Sequence, residues 1–151
     1  MLTKKAIYGL KAVLYLSQKL SAQEAVLISD IAYHAHIPKK FLESILLELK
    51  KKGVLHSKKG KGGGYTLANA ADRITVGEIM RALDGPLAPV SCVSESAYRR
   101  CDECVDEHRC GIRIVMKDVR DAMSNILDNV TLADVQKKIA NCHAAPLTYS
   151  I

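Results

Sequence analysis

Four of the chain's five cysteines fall within nineteen residues, from Cys92 through Cys101 and Cys104 to Cys110. Their spacing is Cys-x8-Cys-x2-Cys-x5-Cys. Thiolates are soft ligands, and a close pair with two more thiols nearby can complete four-coordination around zinc or around the irons of an iron–sulfur cluster. The intervening residues are polar and acidic, among them Glu95, Asp102, Glu103, Asp106 and Glu107. Structural thiols prefer burial, so inert core packing does not account for four cysteines in these surroundings. A zinc knot and a thiol–disulfide switch are the rival readings. An odd count leaves one thiol without an internal partner. Cys142, outside the pattern, reads as incidental. His108 beside Cys110 adds an imidazole, although an exposed histidine is more often only solvated. His143 beside Cys142 is a weaker candidate.

The second chemical feature is charge. Residues 39–61 hold eight lysines against Glu43 and Glu48, which is the whole of the chain's formal net charge of +6. An excess confined to one segment points to one polyanion-facing surface. The competing reading is a solvated lysine-rich face.

The rest of the composition is that of an ordinary globular chain, 48% hydrophobic and 25% charged over 151 residues. With no Trp and one Phe, its core must be aliphatic. No stretch approaches the ~18 apolar residues of a membrane span. The first residues, Met-Leu-Thr-Lys-Lys-Ala-Ile-Tyr, lack the apolar core of a secretory signal. A cytoplasmic protein is expected, where thiols are kept reduced and metal binding outweighs disulfides. A thiol beside His108 could serve as a nucleophile–base pair, but no third group supports it, so an enzyme is not expected.

Helices must position these groups. Ala6, Leu10, Val13 and Leu14 predict a first helix from Thr3 to about Leu20, broken by Ser21-Ala-Gln-Glu. Ser29 is read as the N-cap of a second helix over Asp30–Ala35. His36-Ile37-Pro38 is then a short turn, and a third helix runs to about Lys52 and stops at Gly53. Its buried stripe is read as Phe41, Leu42, Ile45, Leu46 and Leu49. Its outer face carries Lys40, Glu43, Ser44, Leu47 and Lys51. Residues 54–67 read as a strand, a glycine-rich tip with Lys58, Lys59 and Lys61, and a second strand. Two short helices followed by a basic hairpin make a winged helix-turn-helix. The recognition helix would enter the major groove, with base reading from Glu43 and Ser44 flanked by Lys40 and Lys51. Lys39, Lys58, Lys59 and Lys61 would hold phosphates. The glycine run lacks the spacing of a nucleotide-phosphate loop. Thr75-Val-Gly-Glu78 opens a fourth helix ending at Leu83-Asp84-Gly85.

Several stretches carry a family resemblance: Phe41-Leu-Glu-Ser-Ile-Leu, Lys59-Gly-Lys-Gly-Gly-Gly-Tyr, Ile74-Thr-Val-Gly-Glu-Ile, the cysteine segment, and Asn129-Val-Thr-Leu-Ala-Asp-Val. In this order the chain resembles, over nearly its whole length, the winged-helix regulators of the Rrf-two family, of the IscR, NsrR and CymR type. The resemblance implies a homodimer on a pseudo-palindromic double-stranded operator. In many members it implies a small iron–sulfur cluster, here of the two-iron two-sulfur kind, with zinc as the alternative. Other members, of the CymR kind, hold no cluster. Cluster-bearing members usually supply three cysteines from this loop. Here Cys92 and Cys110 are joined by either Cys101 or Cys104, or all four ligate. Some members draw a fourth ligand from the partner's first helix, where this chain offers only Tyr8.

After Cys110-Gly111, a long amphipathic helix carries Ile112, Val115, Met116, Val119, Met123, Ile126 and Leu127 on one stripe. Arg113, Lys117, Arg120, Asp121 and Ser124 lie on its other face. A second copy of the same helix is its simplest cover. Thr131-Leu-Ala-Asp134 caps a short last helix ending near Ile139. The expected fold is mainly α with a small β-hairpin wing. It divides into a DNA-binding unit (1–85), a cysteine-rich sensor loop (86–110), a dimerisation helix with the terminal helix (111–140) and a flexible tail (141–151).

Overall fold

The computed structural model describes residues 2–19 and 25–144. In chain order its elements are helices α1 (Lys4–Gln18), α2 (Ile28–His34) and α3 (Lys39–Lys51), then strands β1 (Leu55–Lys58) and β2 (Gly64–Leu67). Helix α4 (Val76–Asp84), a 3-10 turn (Ser91–Val93), α5 (Gly111–Asn129) and α6 (Leu132–Ala144) follow. The described residues therefore form the predicted mainly helical fold with one two-stranded antiparallel hairpin.

Local capping explains three of the six helix starts among the described residues. The Thr3 hydroxyl accepts the Ala6 N–H at 3.1 Å, and the Thr75 hydroxyl accepts the Glu78 N–H at 3.1 Å. At α6 the exchange is mutual: Asp134 N–H donates to Thr131 Oγ1, and Thr131 N–H to Asp134 Oδ2, each at 3.1 Å. Helix α3 ends at Lys52 and Gly53, as its sequence predicts. The hairpin pairs Leu55 with Leu67 and Lys58 with Gly64. Its tip turns through Gly60 (φ +88°) and Gly62 (φ +75°), a region that residues with a Cβ seldom enter.

Three readings of the sequence are corrected. Ser29 does not cap α2: the helix begins at Ile28, and Leu27, with no side-chain cap, stands before it. The cause is non-local. Val26 pairs with Tyr65 through backbone bonds of 3.0 and 2.9 Å, so extended chain ends there and the helix starts at once. Phe41 is not in the core; it is 61% exposed, while Leu42, Ile45, Leu46 and Leu49 are buried. Finally, α6 is longer than expected and runs through residues 141–144. The break at Ser21-Ala-Gln-Glu24 and residues 145–151 of the tail lie outside the described residues.

The core is shared between the ends of the chain. Ile31, Leu42, Ile45, Leu46, Leu49, Ile74 and Ile79 are fully buried, and so is Leu132 at the start of α6. Leu132 N–H bonds Ile74 O at 3.0 Å and Ala133 N–H bonds Ala71 O at 3.1 Å. Further along, the Gln136 amide donates to Leu14 O and to Ser17 Oγ, both at 2.9 Å. The last helix thus packs on the first.

Helix α5 is different: none of its residues is fully buried. The single apolar stripe expected there divides in two. Met116, Met123 and Leu127 are half-buried, with Arg113 and Arg120 beside them. Ile112, Val115, Val119 and Ile126 are exposed.

Replacing Leu132 by Ala should lower the unfolding free energy by about 2–5 kcal/mol, as for other deletions of a buried leucine. Urea denaturation followed by circular dichroism measures it. A loss below about 1 kcal/mol would mean that α6 is only a surface appendage.

Candidate functional site

Two groups of chemically active side chains are set out by this frame. The first is the basic edge. Lys39, Lys40, Glu43, Ser44 and Lys51 on α3 and Lys58, Lys59 and Lys61 on the hairpin are all exposed. Helical spacing places Lys40, Glu43, Ser44 and Lys51 on one side of α3. The turn between α2 and α3 passes through His36 at φ +53°, the left-handed conformation that histidine tolerates better than bulkier residues. Buried Ile37 and its N–H bond to Ala32 O at 2.9 Å fix that turn. Two side chains are already engaged. Ser44 Oγ donates to Phe41 O at 2.9 Å, and Lys5 pairs with Glu48 at 3.1 Å.

The second group is the cysteine segment. Its four carbonyls are all held. Cys92 O accepts from Arg113 Nε at 3.3 Å, and Cys101 O from Cys104 N–H at 3.1 Å. Cys104 O accepts from Arg100 Nη2 at 2.9 Å, and Cys110 O from Ile114 N–H at 3.1 Å. Ser91 and Arg99 close the loop with bonds of 3.0 and 3.3 Å, which brings the chain near Cys92 alongside the approach to Cys101. The Tyr98 hydroxyl donates to the Glu107 carboxylate, which pushes the phenol above its ordinary pKa. Cys110 is the N-cap residue of α5.

The sulfurs are free, and none forms a disulfide. Cys92, Cys104 and Cys110 are half-buried and Cys101 is exposed. Among the described residues, however, no three His, Cys, Asp or Glu side chains converge into a metal-binding group. The donor set fits a thiolate-bound metal or cluster in its chemistry, with soft sulfurs left free by backbone groups that are otherwise satisfied. Gathering them requires the segment to close further. His108 is exposed, with its backbone N–H on Asp106 Oδ1 at 2.9 Å. Tyr8 lies away from the segment in its own chain, beside Phe41. Cys142 is exposed on α6, and the side chain of His143 is outside the described residues.

Three arginines, none of which the sequence reading placed at a contact, connect the two groups through α5. Arg81 of α4 grips Asp128 of α5 with both nitrogens, at 2.5 and 2.7 Å. Gly77 allows that approach, because a Cβ there would lie 2.1 Å from Asp128 Oδ1. Arg120, whose side chain is only 13% exposed, donates to Val93 O at 2.6 Å and faces Glu95 at 3.5 Å. Arg113 and Arg120 stand seven residues apart and hold consecutive carbonyls at the root of the cysteine loop. That spacing was legible; their target was not.

Comparison with known proteins bears on both groups. The Rrf2 family model, described as an iron-dependent transcriptional regulator, matches residues 2–138. An rrf2-like HTH-type transcriptional regulator of Rhodobacter capsulatus is 42% identical over 137 residues, covering 89% of this chain and 91% of its own. The regulator IscR of Erwinia tasmaniensis is 31% identical over 134 residues, covering 89% and 77%. Among solved structures, CymR of B. subtilis, the global cysteine regulator, superposes with a TM-score of 0.73 at 28% identity, covering 91% of this chain and 97% of that one.

The Arg81 guanidinium holds the Asp128 carboxyl below its ordinary range. A depressed carboxylate stabilises the fold above the unfolded-state pKa, and that contribution fades as pH falls through the folded-state value. Both side chains are 41% exposed, so solvent screening keeps the pair below about 1 kcal/mol. Asp128→Asn should therefore be slightly less stable than wild type at pH 7, with the gap shrinking towards pH 3. Denaturation midpoints at the two values test it, and a gap that widens in acid would contradict it.

Proposed function

The chain belongs to the Rrf2 family of transcriptional regulators, DNA-binding proteins and not enzymes, and from that membership we propose that it is a homodimeric regulator controlled by its cysteine segment. It reads a pseudo-palindromic operator in the bacterial cytoplasm. Among the described residues no helix is long and apolar enough to cross a membrane. The observation that carries the DNA reading is the exposed face of α3, Lys40, Glu43, Ser44 and Lys51, beside a hairpin tipped with Lys58, Lys59 and Lys61. Lys39 and the hairpin lysines position the protein on phosphates, and Glu43 and Ser44 face base edges. Phosphate contacts give affinity for any sequence; base contacts give the choice among sequences.

The exposed seam of α5 supports the dimer. Ile112, Val115, Val119, Ala122 and Ile126 follow one another at alternating steps of three and four residues, and all five are exposed. That is the spacing of a helix that packs against a second helix. An apolar strip of this length is unusual on a monomer. A two-fold pair buries it against itself and sets two recognition helices about one turn of DNA apart.

Free sulfurs at Cys92, Cys101, Cys104 and Cys110 and the iron dependence in the family's description support an iron–sulfur cluster, of the two-iron two-sulfur kind, over zinc. When bound, such a cluster supplies redox- and gas-sensitive iron. The chain's own part is mechanical. Drawing the four sulfurs together moves the loop root, where Arg113 and Arg120 hold the Cys92 and Val93 carbonyls. Those arginines pass the displacement to the N-terminal half of α5 and so to the dimer seam. For this to switch the protein, the cofactor must bind the two arrangements unequally. A cluster-free or zinc- or thiol-switched regulator is the second reading, and the separation of the four sulfurs favours it.

Protein purified without air should contain iron and sulfide and show visible charge-transfer bands. Joint replacement of Cys92, Cys101 and Cys110 by Ser should abolish the bands and change operator affinity. Zinc alone, or an operator affinity indifferent to the substitutions, would remove the cluster from the mechanism. Separately, Val119→Asp should give a monomer by sedimentation velocity and lose tight operator binding while keeping its helical content. A variant that stays dimeric would place the interface elsewhere.

A further inference from the structure

Phe41 is the chain's one phenylalanine, and it stands in the first turn of α3 with 61% of its surface exposed. Its helix fills the core without it, through Leu42, Ile45, Leu46 and Leu49. The ring borders an open groove of about 340 Å3 whose other walls are Lys4, Lys5 and Tyr8 of α1 and Ser44 and Ile45 of α3. Lys4, Lys39 and Lys40 are exposed around it. An apolar ring set among cations suits an anionic polymer with apolar groups on it.

The polar atoms beside the ring narrow the choice. The Ser44 hydroxyl has given its proton to Phe41 O, at 2.9 Å, so its lone pairs alone remain to accept. On α3 itself the hydroxyl beside the ring is therefore an acceptor, with Tyr8 standing across the groove on α1. In the major groove, an A·T pair presents an amino donor on adenine beside the C5-methyl of thymine. Cytosine offers a donor but no methyl, and guanine offers acceptors. We infer that Phe41 reads a thymine through its C5-methyl, at one position in each half-site, with Ser44 accepting from the paired adenine. This inference rests on the operator reading above and adds to it a specificity-determining residue.

The experiment begins by selecting sites from a random duplex pool with the wild-type dimer. In the best site, each thymine is then replaced by deoxyuridine, which removes the methyl alone. One position per half-site should lose about fourfold in affinity, the effect of one buried methyl. Phe41→Ala should bind the thymine site more weakly and no longer distinguish thymine from deoxyuridine there. Phe41→Leu, which keeps an apolar group, should restore part of the distinction. If no thymine shows methyl dependence, or if the dependence survives in Phe41→Ala, the inference fails while the operator reading stands. If Phe41→Ala shifts the monomer–dimer equilibrium and leaves the deoxyuridine pattern unchanged, the ring belongs to a protein interface and the inference likewise fails. If selection enriches no sequence, the operator reading fails and this inference falls with it.

Discussion

The arrangement of the molecule depends on the contact between α4 and α5. There Arg81 clasps Asp128, and the missing Cβ of Gly77 leaves room for the carboxylate. As a surface ion pair it contributes little to stability. Its weight is geometric. Helix α4 also packs against α1 and α3, so the clasp fixes α5 relative to the helix that carries Lys40, Glu43 and Ser44. The backbone repeats the constraint a few residues on, where Val76 N–H bonds Val130 O at 2.9 Å. The C-terminal end of α5 is therefore part of the winged-helix body. Its N-terminal end is joined to the cysteine loop by the Cys110 cap and by Arg113 and Arg120, which hold the Cys92 and Val93 carbonyls.

That asymmetry joins the two chemical groups into one system. One end of this helix is fixed to the winged-helix body, and the other continues the thiol segment. The exposed seam runs along this same helix, so in the proposed dimer a change in its tilt would reach both copies. The basic edge and the thiol segment are distant in sequence, yet they act on one rod.

Much of this was legible from local chemistry. Thr75 and Thr131 announced their helices because a hydroxyl and an amide three residues on need nothing else from the fold. The hairpin was legible because its glycines and lysines sit between two short β-prone runs. Reading failed where a distant strand or helix decided the outcome. Ser29 lost its capping role because Val26 is claimed by Tyr65. Phe41 sits one step outside the stripe formed by Leu42, Ile45, Leu46 and Leu49, and periodicity alone does not set how wide a stripe is covered. In α5, residues of the same polarity were divided between two faces: Met116, Met123 and Leu127 are half-buried, and Ile112, Val115, Val119 and Ile126 are exposed. The four cysteines were conspicuous as a set, whereas the arginines that hold their carbonyls could not be assigned before the chain was folded.

The burial of Leu132 has a consequence for how the protein is made. Domains generally fold from the N-terminus as they leave the ribosome. Here the core around α1, α3 and α4 lacks a wall until Leu132, beyond α5, arrives. The thiol segment and the seam helix are therefore made before the helix that carries Lys40, Glu43 and Ser44 rests on a finished support. A chain cut short after α5 would have an unfinished core, open to proteolysis. Placing that wall beyond α5 ties the support of the basic edge to the synthesis of the thiol segment.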